Sequence, residues 1–161
     1  LGATEFNPDD DYVDYAILVA KKVSEENAKG IVFCASGVGV DIVANKIKGI
    51  RCGLGISSEQ VKAACRDDDI NVLAIASDFF DFEKTSEMIK IFLDTPFSEE
   101  ERYVRRINKI KQIDFLSAIN ESIFYRDISV AMENQLPHSE FIEIGIKQRL
   151  NYRHLTPPVK K

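Results

Sequence analysis

A chain of 161 residues, 45% hydrophobic and with a net charge of −5, has room for one sizeable core but not for a second catalytic domain. Its acidic balance argues against broad binding to nucleic acid or anionic membranes, no apolar run approaches the ~20 residues that span a bilayer, and no signal peptide is visible at the start. Cys34, Cys52 and Cys65 are odd in number and lack Cys-x-x-Cys or His-paired spacing, which predicts free thiols in a reducing cytoplasm rather than a disulfide frame or a zinc site.

In chain order, Asn7 to Asp11 reads as a loop with a capping residue. Tyr12, Tyr15, Ala16, Val19, Ala20 and Val23 then carry the spacing of an amphipathic helix over 11–27. Residues 31–34 form a short apolar run bounded by glycine, the pattern of an inner strand of a parallel sheet. A glycine loop follows, then a helix over 40–47 and a strand from Arg51 to Ile56. Ser57-Ser58-Glu59 opens a helix through Cys65 with hydroxyls suited to capping. Val72 to Ala76 is a further strand and Glu83 to Leu93 a helix. Pro96 punctuates, and Ser98-Glu99-Glu100-Glu101 begins a long helix toward Ile123. Strands alternating with helices predict a three-layer, Rossmann-like α/β fold around a parallel sheet, with ligands at the carboxyl ends of the strands. Residues 1–113 make the main domain. Residues 114–161, mostly helical and ending in Thr156-Pro157-Pro158, form an extension expected to pack on the domain or on a partner subunit.

The segment Cys34-Ala35-Ser36-Gly37-Val38-Gly39 places a thiol where a strand ends and a glycine loop opens a helix. Gly37 and Gly39 let successive N–H groups approach a ligand, and the same field favours thiolate over thiol. A strand-end cysteine before a glycine turn is also an ordinary packing residue. Residue spacing alone leaves both readings open.

From Asp11 to Ile110 the chain resembles the ribose-5-phosphate isomerase B and galactose-6-phosphate isomerase family, whose loop reads Cys-Gly-Thr-Gly-x-Gly and leads into a helix with Ala-Asn-Lys, here Ala44-Asn45-Lys46. Lys48-Gly49-Ile50-Arg51-Cys52, Asn71-Val72-Leu73-Ala74, Thr95-Pro96-Phe97 and Asp11-Tyr12-Val13-Asp14-Tyr15 match further family blocks in order. The resemblance implies isomerisation of a phosphorylated sugar between aldose and ketose through an enediolate, in carbohydrate metabolism of the pentose phosphate type, with no cofactor and no metal. Cys34 would be the base and Ser36, at the family's threonine, a proton relay. The N–H groups of Ala35, Gly37, Val38 and Gly39 would stabilise the oxyanion. Tyr12 and Asn45 are substrate-contact candidates, against packing for the first and helix-end hydrogen bonding for the second. Arg102 and Arg106, four apart on one helix face, match the family's phosphate-binding pair, against pairing with Glu99, Glu100 and Glu101. In the family the site is completed across a subunit interface, so a homodimer or homotetramer is expected.

The chain departs from the family pattern in several places. Asp67 and Asp68 stand where the family has His-Asn, its histidine opening the sugar ring. Asp67 remains an acid/base candidate if burial or acidic neighbours raise its pKa, and Asn71 is expected to make structural hydrogen bonds. Asp78 stands where many relatives have a phosphate-binding arginine, and Ala35 replaces a glycine, which is harmless unless that position needs positive φ. The chain enters at Leu1-Gly2, where the resemblance implies a missing β-α-β portion carrying the family's Asp-His motif. That absence predicts the Cys34 strand without a sheet neighbour. His138 and His154 are expected at the surface. Three functions are therefore open: a five-carbon phosphosugar isomerase, a six-carbon one, and a non-catalytic sugar-phosphate-binding or assembly homologue.

Overall fold

The computed structural model describes residues 1–5 and 7–114. Of the expected extension over 114–161, all but Asp114 lies outside the described residues, as do His138 and His154.

Three parallel strands, β1 (Gly30–Cys34), β2 (Cys52–Gly55) and β3 (Val72–Ala76), form a sheet in the order β1-β3-β2. Helices α1 (Tyr12–Glu26) and α2 (Val38–Ala44) pack on one face, and α3 (Ser58–Asp68) and α4 (Phe82–Asp94) on the other. Residues 101–114 are helical. This is the expected three-layer α/β arrangement.

The side-chain period of a strand divides the core between the two faces. Val72 and Ala74 pack with Ala16, Ala20, Val23, Val32, Val40 and Ala44, whereas Leu73 and Ile75 pack with Val61, Cys65, Met88 and Phe92. All five residues of β3 are buried, because this strand is paired on both edges and covered on both faces.

The 31–34 run reads as an inner strand that the absent N-terminal portion would leave without a sheet neighbour. Among the described residues β1 is an edge strand. It has one neighbour, β3, with Cys34 opposite Ala76, and Phe33 is 53% exposed. An apolar run records that side chains favour burial, not how many ladders the backbone joins, so sequence alone could not separate edge from interior.

Local signals account for the helix ends. Asp11 caps α1 by accepting from Val13 N–H, Ser57 caps α3 by accepting from Gln60 N–H, and Asp81 caps α4 through Lys84 N–H. At its other end α4 is closed by Lys29, whose ammonium donates to the carbonyls of Phe92, Leu93 and Thr95 and lies 5.0 Å from the Phe92 ring centroid. Asn71 bridges two backbone groups, accepting from Arg51 N–H at 2.8 Å and donating to Gly49 C=O at 2.9 Å, so its expected structural role holds.

Candidate active site

Cys34 is the last residue of β1, at the carboxyl end of the sheet, and its side chain is partly exposed. Its carbonyl is held by three donors: Gly37 N–H at 3.2 Å, Ser77 N–H at 3.0 Å and the Ser77 hydroxyl at 3.1 Å. This fixes the residue that carries the thiol. Ser77 was not singled out from the sequence. The signal lay in the pairing of Cys34 with Ala76, which puts the residue after β3 beside the cysteine.

Burial raises the Cys34 pKa, but N–H groups of Gly37, Val40 and Ser36, with the Ser36 hydroxyl, outweigh it and hold the thiol below an ordinary cysteine. The other two thiols go the opposite way. Burial and a hydrogen bond to the Asp41 carboxylate push Cys52 far up, and burial pushes Cys65 up. One sulfur of three is thus both accessible and stabilised as thiolate.

Gly37 adopts φ +72°, and a Cβ there would stand 2.5 Å from Leu54 Cδ1 and 3.0 Å from the Ala76 nitrogen. Only glycine lets the loop lie this close to β3. Ala35 is not among the described residues with positive φ, so its replacement of glycine carries no strain. Ala35, Ser36 and Val38 are exposed, leaving the loop open to solvent, and Val38 N–H donates to Ser36 Oγ at 3.4 Å. Tyr12 closes one side, since a Cβ on Gly39 would meet its ring at 2.8 Å. Cys34, Ala35, Ser36, Gly37, Val38, Gly39 and Tyr12 therefore come together.

Asn45 has little left for a ligand. Its amide nitrogen donates to Asp41 C=O, Asp41 Oδ1 and Cys52 C=O at 3.0 to 3.1 Å, and its oxygen accepts from Cys52 N–H at 2.9 Å. The geometry supports the helix-end alternative for this side chain. The backbone of Asp78 adjoins the loop, its N–H donating to the Ala35 carbonyl at 3.1 Å.

The remaining candidates gather elsewhere. α3 runs back along the sheet and ends just before β3 begins, so Asp67 and Asp68 lie at the amino edge of the strands while Cys34 lies at the carboxyl edge. Four strand steps separate those edges, about 13 Å. Arg102 and Arg106 lie with Asp67: Ser98 N–H donates to Arg66 C=O, and Tyr103 contacts Asp67. Within one chain these four do not join the thiol.

The condition attached to Asp67 is not met. The Arg66 guanidinium holds it through two bonds, 2.6 Å to Oδ1 and 3.0 Å to Oδ2, and keeps the carboxyl below the usual carboxylate range. An ionised carboxylate has no proton to give, which speaks against an acid role for Asp67 at neutral pH. Arg102 pairs with Glu100 at 3.0 Å, while no carboxylate of the described residues stands within ion-pair distance of Arg106. No group of three or more His, Cys, Asp or Glu among the described residues is placed to hold a metal ion, and no helix among them is long and apolar enough to cross a membrane.

The Ribose/Galactose Isomerase family matches residues 1–110. A protein of Mycoplasma pneumoniae named "probable ribose-5-phosphate isomerase B" is 41% identical over 111 residues, covering 68% of this chain and 72% of that protein. The crystal structure of ribose-5-phosphate isomerase B from Mycoplasma genitalium with bound ribulose-5-phosphate superposes with a TM-score of 0.67 and 37% identity, over 71% of this chain and 76% of that one. The type B ribose 5-phosphate isomerase of Trypanosoma brucei gives a TM-score of 0.68 and 36% identity, over 70% of this chain and 76% of that one. With its open thiol, its glycine loop and a match that runs from the first residue almost to the end of the described helix, the chain belongs to the ribose/galactose isomerase family.

Proposed function

We propose that this protein interconverts ribose 5-phosphate and ribulose 5-phosphate with Cys34 as the base. The observation that carries the reading is the convergence of Gly37, Val40 and Ser36 N–H groups on an accessible sulfur at the carboxyl end of a parallel sheet.

On the open-chain aldose, the Cys34 thiolate takes the proton from C2. The electron pair of that C–H bond becomes the C1–C2 double bond, and the carbonyl oxygen gains negative charge. The N–H groups of the Ala35 to Gly39 loop oppose that charge. Ser36 moves a proton between the two oxygens, the thiol returns its proton to C1, and the ketose results with atoms and electrons conserved. Tyr12 walls the sugar against the loop.

The phosphate is assigned to Arg102 and Arg106. Because they stand at the opposite edge of the sheet from their own Cys34, they serve the thiol of a second copy, and the active form is a homodimer or a larger homo-oligomer. The separation of the two clusters within the chain supports this arrangement.

The test compares wild type with Cys34→Ala on ribose 5-phosphate and on a six-carbon phosphosugar. Loss of turnover in the variant, with five-carbon preference in the wild type, supports the reading. Preference for six carbons supports the related six-carbon activity. The ionised Asp67, and an aspartate rather than an arginine at position 78 next to the loop, favour a second reading, a sugar-phosphate-binding homologue without turnover. Binding of ribose 5-phosphate by wild type with no isomerisation would establish it.

A further inference from the structure

At the amino edge of the sheet one aromatic ring carries cations on it. Tyr103 is 5% exposed, and the guanidinium carbons of Arg102 and Arg106 stand 4.4 and 5.6 Å from its ring centroid. Its hydroxyl interacts with the Asp67 carboxylate and the Arg66 guanidinium, and those two are joined by their own double hydrogen bond. The tyrosine therefore links the end of α3 to both arginines.

An arginine on a helix surface is free to sample many rotamers, and two that must meet one dianion lose that freedom on binding unless something has already ordered them. A buried ring, immobile itself, restrains a guanidinium by stacking while leaving its N–H edge free for an oxyanion. Glu100, which touches Arg102 at 3.0 Å, is half-exposed, and so exposed an ion pair costs little to exchange for a dianion.

We propose that Tyr103 is a positioning residue that pre-orders Arg102 and Arg106 for capture of a phosphate dianion. The proposal rests on the reading that these two arginines hold the phosphate. Its ring performs the ordering, and its hydroxyl anchors the ring to Asp67 on α3.

The experiment measures the dissociation constant of inorganic phosphate by calorimetry, and KM and kcat for ribose 5-phosphate, in Tyr103→Leu, Tyr103→Phe and the double variant Arg102→Ala/Arg106→Ala. Tyr103→Leu is expected to raise the phosphate dissociation constant and KM by about 5- to 20-fold with kcat nearly unchanged, whereas Tyr103→Phe keeps the ring and stays within about threefold of wild type. Should the leucine variant not fold, Tyr103→Met fills the same space without a ring and takes its place. A folded ring-less variant with wild-type phosphate affinity, beside an arginine double variant that has lost it, overturns the role of Tyr103. An arginine double variant that still binds phosphate as wild type does overturns the underlying phosphate assignment instead.

Discussion

The Tyr12 ring occupies the place where a side chain on residue 39 would begin, 2.8 Å from the position of a Cβ there. The first turn of α1 is thus seated on the loop that follows Cys34, and the absence of a side chain at Gly39 is what lets it sit. Gly39→Ala must push the ring outward. Since Tyr12 is half-exposed, the ring can move, and the expected result is a protein of near wild-type thermal stability with a raised KM. Gly37→Ala differs, because its positive φ and its contact with the β3 backbone leave nowhere to go. It is expected to cost roughly 2–4 kcal/mol in chemical denaturation.

The pKa of Cys34 can be read directly from its alkylation by iodoacetamide as a function of pH. The folded thiol ionises below an ordinary cysteine, so its midpoint should fall under the value of about 8.5 for a free thiol. Ser36→Ala removes one donor and should move the midpoint upward. The sign for stability follows from the same depression: this group contributes above the unfolded thiol's pKa, and the contribution is lost as pH falls through the folded value. Cys52 and Cys65 should stay unmodified throughout the neutral range, both being held protonated.

Asn45 fastens the end of α2 to β2 through both ends of its amide. Replacing it with alanine leaves the Cys52 N–H and C=O without these partners. Asn45→Ala should lower stability by about 1–3 kcal/mol in denaturant melts. A substrate ligand would instead change KM and leave the melt alone.

Much of this architecture could be read from local pattern. Val72 to Ala76 is an apolar run and is the inner strand, and Ser57 precedes its helix as a capping hydroxyl should. Cys34 and the glycines were legible for the same reason: strand, turn and helix N-terminus are all encoded within a dozen residues. What escaped was set by partners distant in sequence or by rotamer choice. Ser77 meets Cys34 across 43 positions, and the place of β1 at the sheet edge among the described residues depends on which strands pair. Asp67 looked like a free acid in a run of acids, yet its neighbour Arg66 folds back onto it. Composition cannot foretell that choice, because an adjacent pair on a helix does not face each other by default.

That pairing gives the last prediction. If Asp67 supplied a proton, Asp67→Asn would remove a limb of the pH–rate profile. With Arg66 holding the carboxyl ionised, its titration lies below the usual carboxylate range and outside the working window. The rate profile of Asp67→Asn is therefore expected to keep both limbs of the wild type between about pH 6 and 9. The amide also gives up one charged partner of Arg66 and weakens the link to Tyr103, so KM is expected to rise while kcat holds. A vanished limb with unchanged KM would restore Asp67 to proton transfer.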